Sequence, residues 1–244
     1  MTLDNVNLQA ESERPINEFP FFEERLKPID YKAIIEAKHP FSDPHWLAEE
    51  SSIMDDFMMR EPRVQKWQTL VWKRPSEVYG EGNFTLYDKI DPNDILQGDC
   101  GDCYFLSGLA SLAEYPDRIK RIFLTQEINE AGCYAVQFYI CGEKRTVVVD
   151  DRFPYCPHKE RWAFSRTSSS NEIWVLIVEK AWAKVFGSYQ RIEAGTTGEA
   201  LNPLTGCPTK FFIHDDVKSK EHLWQTILFA DTHKFPMCTA VASS

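Results

Sequence analysis

Residues 97–106 combine a thiol, a side-chain amide and two glycines in a spacing that suits nucleophilic chemistry. Gly98 and Gly101 allow a tight backbone turn. Cys103 follows this turn at the start of an apolar segment that predicts a buried helix. A thiol at the positive end of a helix dipole favours its nucleophilic thiolate form. Gln97, upstream in the same segment, supplies an amide donor for the oxyanion that forms when a thiolate attacks a carbonyl.

Other interpretations of Cys103 remain open on the residues alone. A core cysteine is the commonest fate of an intracellular thiol, although the glycines and the flanking Asp99 and Asp102 do not suit a plain core. Cys100 and Cys103 also match the C-x-x-C pattern of thioredoxin-like redox proteins. That pattern should follow a β-strand, whereas here it follows a turn at residues 91–94. A zinc site is less favoured because the sequence has no second C-x-x-C and no H-x-x-x-H.

The general base that a thiol nucleophile needs is not evident among the histidines. Such a nucleophile usually pairs with a histidine and with an asparagine or aspartate far along the chain. The histidines after Cys103 are His158, His214, His222 and His233. Their neighbours suit solvated or capping positions. In papain-like enzymes the histidine follows the cysteine by about 130–150 residues, so the base is expected beyond the last residue, Ser244.

Asp94 and Glu172 are two carboxylates that each lie next to a predicted ordered element. The plain interpretation is a surface carboxylate for Asp94 and a helix-start residue stabilised by the dipole for Glu172. Hard oxygen ligands of this type also suit Ca²⁺. A calcium site therefore stays open beside the plain interpretation.

The elements that must position these residues follow from hydrophobic periodicity. Residues 103–115 predict a helix that is apolar nearly all round, with Pro116 at its end, and residues 171–186 predict a helix with one apolar face. Residues 134–140 and 145–151 predict a hairpin. Shorter elements are predicted at 31–37 (helix), 221–230 (helix) and 235–241 (strand). A strand pair that follows helices and loops indicates an α+β fold rather than alternating βαβ units.

The composition is that of an acidic globular protein. The 244 residues carry a net charge of −10, and 43% of them are hydrophobic, which is enough for a large core. The negative charge disfavours a nucleic-acid partner. No apolar stretch approaches the roughly 18 residues of a transmembrane segment, and the N-terminus shows no secretory signal. Seven cysteines at irregular spacings then predict reduced thiols and a cytoplasmic location.

Several segments, in order along the chain, resemble landmarks of one family. The segment QGDCGDCYFL at 97–106 resembles the active-site signature of calpains, the intracellular calcium-dependent cysteine proteases. The other matching segments are WKRPSE at 72–77, VVVDDRFP at 147–154, NEIW at 171–174, VEKAWAK at 178–184, GTTGE at 195–199 and LTG at 204–206. The resemblance covers about residues 40–244.

This resemblance implies an α+β fold, the papain-like cysteine protease core of calpain type. The mostly helical first subdomain would cover residues 40–208, with a central buried helix that starts at the nucleophile. Residues 1–39 would be a weakly ordered N-terminal extension. Residues 209–244 would begin the second subdomain, and the sequence stops before the family's Gly-His-aromatic and Asn-Pro-Trp-Gly segments. The family acts on protein substrates, and regulatory domains or a subunit outside this chain are also implied.

Roles for individual residues follow from the same resemblance. Cys103 matches the nucleophile, and Gln97 matches the donor that stabilises the oxyanion together with the backbone N–H of Cys103. The implied calcium ligands are the side chains of Asp94 and Glu172 and the backbone carbonyls of Tyr87 and Lys89. The expected function is a calcium-dependent endopeptidase that works by thiol acyl transfer. Little hydrolysis is expected from this chain alone, because it lacks the histidine and asparagine segments.

Three residues depart from the family's pattern. Tyr104 stands where the family usually has tryptophan, and Cys100 stands where it has an aliphatic residue. Lys89 stands where it has glycine, and its ammonium group would repel a calcium ion. A calpain-like module that binds partners without cutting them remains one alternative function, and a C-x-x-C redox protein remains another.

Overall fold

The computed structural model describes residues 20–55, 65–167, 171–213 and 219–240. Within these residues the helices are α1 (Pro20–Arg25), α2 (Tyr31–Ala37), α3 (Glu50–Ile53), α4 (Pro75–Tyr79), α5 (Cys103–Ala113), α6 (Pro116–Ile122), α7 (Trp174–Phe186), α8 (Thr197–Thr205) and α9 (Lys220–Thr232). The strands are β1 (Val71–Lys73), β2 (Ile95–Leu96), β3 (Cys133–Ile140), β4 (Glu143–Asp150), β5 (Phe153–Cys156), β6 (Arg161–Trp162) and β7 (Arg166–Thr167). Short 3-10 helices lie at Lys66–Thr69, Pro92–Asp94, Pro157–Lys159 and Gln190–Ile192.

The strands form small antiparallel sheets, and the mixture of helices and small sheets confirms the α+β class. One sheet has the order β1-β5-β6, a second joins β2 to β7, and the third is the β3–β4 hairpin. The hairpin register runs from Cys133 opposite Asp150 to Ile140 opposite Glu143. Its turn is Cys141-Gly142, and both residues have positive φ, as tight two-residue hairpin turns require. The loop is therefore two residues shorter than the predicted 141–144.

Helix α5 is buried because nearly all of its side chains are apolar. Phe105 and Leu109 have no exposed surface, whereas Cys103 at the first position is exposed. The predicted buried helix that starts at Cys103 is confirmed. It ends at Ala113 rather than at residue 115, because Pro116 starts α6 at a position where a missing N–H costs nothing.

Helix α7 is buried on every side, which its sequence does not predict. The buried residues run from Trp174 to Val185 and include Glu179, Lys180 and Lys184. Charged side chains in a helix ordinarily mark its solvent-facing side. The predicted single apolar face was therefore too narrow, and the charged residues of α7 must have partners inside the protein.

The first residues of the predicted 171–186 helix belong to a different contact. Glu172 forms a parallel β-bridge with Thr85, and the backbone N–H of Ile173 donates to the carbonyl of Thr85 at 3.1 Å. These backbone groups bond to the neighbouring loop. The regular helix accordingly begins at Trp174.

Two lysines of α7 reach buried carboxylates and carbonyls. Lys180 Nζ lies 2.6 Å from Asp150 Oδ1 and 2.6 Å from the carbonyl oxygen of Arg152. Lys184 Nζ lies 2.6 Å from Asp43 Oδ2 and 2.7 Å from a β4 carbonyl. The backbone N–H of Asp43 donates to Asp150 Oδ2 at 3.0 Å, so the two ion pairs form one network. Because an unpaired buried charge is strongly destabilising, this network holds α7 against β4 and the chain near residue 43.

Residues 20–39 form α1 and α2 against the core. Arg25 donates to the carbonyls of Lys184 and Val185, at 2.9 and 3.1 Å, at the end of α7 where a cation is favoured by the helix dipole. Ile34 and Ile35 of α2 pack against a buried cluster from β3 and β4. These contacts order residues 20–39, whereas residues 1–19 of the predicted extension lie outside the described residues.

The chain after residue 209 contributes little to the core. Helix α9 has no buried residue, and its Trp224 and Phe229 are 57% and 56% exposed. The strand predicted at 235–241 is wrong over residues 235–240, which have no regular structure, and residue 241 is outside the described residues. Pro236 has no N–H for a ladder, and Phe235 packs on Phe229 instead. A second subdomain that begins at 209 stays a prediction.

None of the helices in the described residues has both the length and the apolar character that crossing a bilayer requires.

Replacing Lys184 by alanine should lower the free energy of unfolding by about 3–5 kcal/mol, because the Asp43 carboxylate would stay buried without its cation. Urea unfolding at neutral pH measures the change. Lys27→Ala is the control, since Lys27 forms an exposed ion pair with Glu24 and its loss should cost under about 1 kcal/mol. Equal effects of the two substitutions would show that the buried network does not hold the fold.

Candidate active site

Cys103 lies at the junction of an exposed loop and a buried helix. It is the first residue of α5 and its side chain is exposed, whereas the next three residues are all buried. The burial of Tyr104, Phe105 and Leu106 anchors the helix, so the thiol has a fixed position at the surface. The free N–H groups of the first helical turn also lie at this end of α5.

Gly98 lets the loop before Cys103 pack directly on a second backbone segment. A Cβ atom at this position would lie 1.9 Å from the carbonyl oxygen of Phe164 and 2.4 Å from that of Ala163. The backbone N–H of Asp99 donates to the Ala163 carbonyl at 2.8 Å. Glycine is therefore required here for close approach of the two backbones, and its φ is not positive.

Gln97 is held inside the same loop. Its side-chain Nε2 donates to the carbonyl of Cys100 at 2.7 Å, and its own carbonyl accepts from Arg166 at 3.1 Å. An amide group has two N–H donors, so this hydrogen bond leaves Gln97 a second donor for a substrate oxygen. The structure thus places an amide donor and the Cys103 thiol on one short loop.

Basic side chains from the β5–β7 region form ion pairs and a hydrogen bond with this loop. Asp99 pairs with Lys159 at 2.6 Å and with Arg161 at 3.5 Å. Burial alone would raise the pKa of Asp99, but the hydrogen bond and charge of Lys159 hold it below its usual value. Together with the bond from Arg166 to Gln97, these contacts fix the loop from outside.

Cys100 differs from Cys103 in exposure. It is 2% exposed, and its thiol lies 3.5 Å from the carbonyl oxygen of Tyr189. Burial, together with the nearby acids Asp102 and Glu179, raises the pKa of Cys100 well above its usual value. A redox pair needs a reactive thiolate, so this environment disfavours the C-x-x-C interpretation.

Tyr104 fills the position where the resemblance predicts tryptophan. Its hydroxyl accepts from Trp182 Nε1 of α7 at 3.0 Å, and burial raises the pKa of Tyr104 to about 12. A Cβ at Gly195 would come within 2.8 Å of its ring. The buried ring therefore serves as a wedge between α7 and the loop before α8.

Glu172, predicted as a calcium ligand, is buried against the loop that contains two of its expected partners. The side chain is 1% exposed, and its carboxylate accepts from the backbone N–H of Asp88. Asp88 lies between Tyr87 and Lys89, whose carbonyls were predicted to ligate calcium. The structure thus brings three of the four predicted ligands into one small region.

Asp94 is connected to this region through the β2–β7 sheet. It ends the 3-10 helix Pro92–Asp94 and precedes Ile95, which pairs with Thr167. The hydroxyl of Thr167 donates to the carbonyl of Glu172 at 3.2 Å. Among the described residues, no three His, Cys, Asp or Glu side chains are grouped to hold a metal ion. Two carboxylates with backbone carbonyls, a set of hard oxygen donors, still suit Ca²⁺.

Comparison with known proteins assigns the chain to a family. The family model described as calpain family cysteine protease matches residues 41–244. The chain belongs to the calpain family of cysteine proteases. Its α+β fold is accordingly the calpain protease core, as the sequence resemblance implied.

Calpain relatives are similar to most of this chain. A calpain-type cysteine protease of Arabidopsis thaliana is 41% identical over 171 residues, and one of Oryza sativa is 37% identical over 178 residues. A calpain of Caenorhabditis elegans is 34% identical over 180 residues. These matches cover 68%, 71% and 72% of this chain. The chain spans 8% of the length of the two plant calpains and 22% of the nematode calpain.

The histidines of this calpain chain that the structure describes after Cys103 have capping and surface positions. His158 lies in the 3-10 helix Pro157–Lys159. His222 is in the first turn of α9, and His233 caps the other end of that helix. His214 lies outside the described residues. In the part that the structure describes, no histidine hydrogen-bonds to Cys103.

Sequence reasoning missed the acid that faces the site from α7. Asp102 was noted only as a flank of the nucleophile, and Glu179 only as part of a family segment. In the structure both are buried and their carboxyl groups meet behind Cys103. The available signal was a glutamate directly before Lys180, which also proves to be buried.

Gly98→Ala should lower the free energy of unfolding by about 3 kcal/mol, because the added Cβ would overlap backbone atoms that cannot move aside. Chemical denaturation measures the loss. Gly101→Ala in the same loop is the control, since its Cβ would have 3.4 Å to the nearest atom and ordinary van der Waals contacts. A Gly98→Ala protein as stable as Gly101→Ala would contradict the close packing of the loop.

Proposed function

We propose that this chain carries the nucleophile of a calcium-dependent cysteine endopeptidase of calpain type that acts on protein substrates in the cytoplasm. The observation that carries the proposal is the exposed thiol of Cys103 at the N-terminus of a buried helix, on one loop with the Gln97 amide. Membership of the calpain family supports a protease. The substrates and partners are part of the proposal, because the chain spans a minor part of its relatives.

The reaction is acyl transfer to the Cys103 thiol. The thiolate sulfur attacks the carbonyl carbon of a peptide bond, and the C=O electron pair moves onto oxygen. The second N–H of Gln97 and the backbone N–H of Cys103 donate to this oxyanion. When the tetrahedral intermediate collapses, the C–N bond breaks and the amine leaves with a proton. Water then attacks the thioester, which releases the acid and returns the thiol.

Proton transfer in this reaction needs a general base and acid. A histidine would take the thiol proton and pass it to the leaving amine. In the described part of the chain no histidine hydrogen-bonds to Cys103. We therefore expect Cys103 to react with electrophiles in this polypeptide while peptide hydrolysis stays low.

Calcium is the proposed ligand of the region around Glu172. The carboxylates of Asp94 and Glu172 and the carbonyls of Tyr87 and Lys89 would hold the ion. Bound Ca²⁺ would supply positive charge that offsets the two carboxylates. These residues join the loop at 85–89, the β2–β7 sheet and the start of α7. Because β2 leads directly into Gln97, fixing this region also fixes the start of the nucleophile loop.

A peptidyl epoxide should label Cys103 at neutral pH at least about tenfold faster than the other exposed cysteines, because only Cys103 lies at a helix N-terminus. Mass spectrometry of each cysteine peptide measures the rates. Cys141 and Cys207 are exposed in the same chain and serve as internal controls. Cys103→Ser should remove the fast labelling. Equal rates at the three cysteines would contradict an activated nucleophile and favour a non-catalytic module.

Saturating Ca²⁺ should stabilise the folded chain, by about 2.7 kcal/mol at a hundred times the dissociation constant. Titration calorimetry with Ca²⁺ alone and unfolding with and without the ion measure binding. Asp94→Asn should abolish both effects, whereas Asp117→Asn, a carboxylate change in the first turn of α6, should keep them. The proposed calcium site would be contradicted if Asp94→Asn binds Ca²⁺ as wild type does, or if titration of wild type with Ca²⁺ produces no heat of binding.

A further inference from the structure

The carboxyl groups of Asp102 and Glu179 meet behind the start of α5. Asp102 is 0% exposed and directly precedes Cys103, and Glu179 of α7 is 2% exposed. The two carboxyl groups lie within hydrogen-bonding reach of each other. Since an ionised carboxylate can only accept hydrogen bonds, contact between these groups requires a proton on one of them.

Asp102 occupies the N-cap position of α5 without capping the helix. Its side chain accepts no hydrogen bond from the first helical turn, although aspartate at this position ordinarily does so. Among the described residues, neither of its buried carboxyl oxygens has a donor in good hydrogen-bond geometry, and the one N–H that lowers its pKa is its own. An ionised carboxylate in that position would be buried with little compensation. A proton shared with Glu179 removes this penalty.

Glu179 connects the acid pair to the other side of the nucleophile loop. Its two carboxyl oxygens lie 2.9 and 3.2 Å from the backbone nitrogen of Ser165, which donates to them. Two residues earlier, the carbonyl of Ala163 accepts from the N–H of Asp99. Glu179 therefore contacts one end of the loop directly, at Asp102, and supports the other end through residues 163–165.

The other groups that face the pair are neutral or acidic. They are Cys100 from the loop, Tyr104 from α5, Ser165 from the segment before β7, and Tyr189 and Glu193 from the chain after α7. Burial raises the pKa of Asp102 to about 6. Burial and then the charge of Asp102 raise the pKa of Glu179 well above its usual value.

We propose that Glu179 is a positioning residue for Cys103, because one proton shared between Glu179 and Asp102 holds the nucleophile loop and the start of α5 in place. The importance of Glu179 for catalysis rests on the proposed function, whereas the existence of the shared proton does not. When the pair loses this proton to solvent, two negative charges face each other in a low-dielectric interior and repel. The loop then moves away from α7, and Cys103 moves with it.

The shared proton determines how folding depends on pH. In the unfolded chain both acids ionise near their ordinary pKa of about 4, whereas the folded pair keeps a proton above that pH. The folded state then binds more protons than the unfolded state. The contribution of the shared proton to the free energy of unfolding is fully present below pH of about 4. It is lost as the pH rises through the pKa of the folded pair. One retained proton lowers the folding equilibrium constant about tenfold per pH unit in that interval.

Glu179→Gln tests the shared proton, because a glutamine accepts from Ser165 and donates an amide N–H to Asp102 without any added proton. Urea unfolding across about pH 5 to 9 should show a folding constant that falls more steeply in wild type, by up to about tenfold per pH unit. Glu114→Gln, an exposed change at the opposite end of α5, should keep the wild-type slope. The infrared difference spectrum between wild type and Glu179→Gln at neutral pH should show the band of a protonated carboxyl, and the subtraction removes the contribution of Asp151, whose pKa burial raises to about 6.

Labelling by iodoacetamide tests the positioning role. The rate constant at Cys103 is divided by that at the exposed Cys207 to correct for general effects of pH on thiols. As the pair ionises, we expect this ratio in wild type and in Glu114→Gln to fall about tenfold relative to the ratio in Glu179→Gln at the same pH, in step with the loss of the shared proton. The pH dependence that comes from the two thiols themselves is common to all three proteins, so the absence of this additional fall in Glu179→Gln would be rescue by the conservative variant.

Equal pH slopes in wild type and Glu179→Gln, or no protonated-carboxyl band in the difference spectrum, would overturn the shared proton. If Glu179→Gln does not fold, Asp102→Asn is measured instead, since its amide donates to Glu179 in the same way. If the shared proton is present but the labelling ratio depends on pH in the same way in wild type and Glu179→Gln, the positioning role is overturned. Slow labelling of Cys103 at every pH, with the difference in slope intact, would contradict the proposed protease function and not the acid pair.

Discussion

Two buried ammonium groups on α7 are the constraint on which the rest of the structure depends. Lys180 and Lys184 are buried, and each needs a carboxylate and carbonyl oxygens at short range to offset the loss of water. Asp150 and Asp43 supply the carboxylates. Burial would raise the pKa of Asp150, but the charge of Lys180 holds it well below its usual value. Because both lysines must reach fixed partners, α7 can neither rotate about its axis nor slide.

The fixed rotation of α7 in turn orders the active-site region. Adjacent residues on a helix differ by about 100° in direction, so when Lys180 points towards β4, Glu179 points towards the nucleophile loop. One turn further along, Trp182 donates to the hydroxyl of Tyr104 and stacks on Phe105 with ring centroids 5.0 Å apart. Helix α7 thus supports both the loop before Cys103 and the first turn of α5, although it contributes no reacting atom.

The sequence predicts those features that depend on neighbouring residues. Periodicity and turn residues indicate α5, the hairpin and the start of the helix at Cys103, and the motif places Gln97 beside it. The burial of Lys184 could not be predicted, because its partner Asp43 is 141 residues away and lysine normally marks an exposed face. Glu172 was noted from the residues as a separate carboxylate, but its place beside Tyr87 and Lys89 came only from the resemblance, since its contact with Asp88 spans 84 residues. The role of Glu179 could not be predicted either, because its pairing with Asp102 depends on a tertiary contact.

The network around α7 also has a consequence for the order in which the chain can fold during synthesis. Asp43, Trp46 and Arg25 all bond to residues between 184 and 187, so these contacts cannot form until those residues have left the ribosome. At about 5–20 residues per second, the interval is on the order of 10 s. During that time the carboxylate of Asp43 remains in water. Residues 25–46 therefore complete their native contacts late, and until then part of this segment stays accessible to chaperones and proteases.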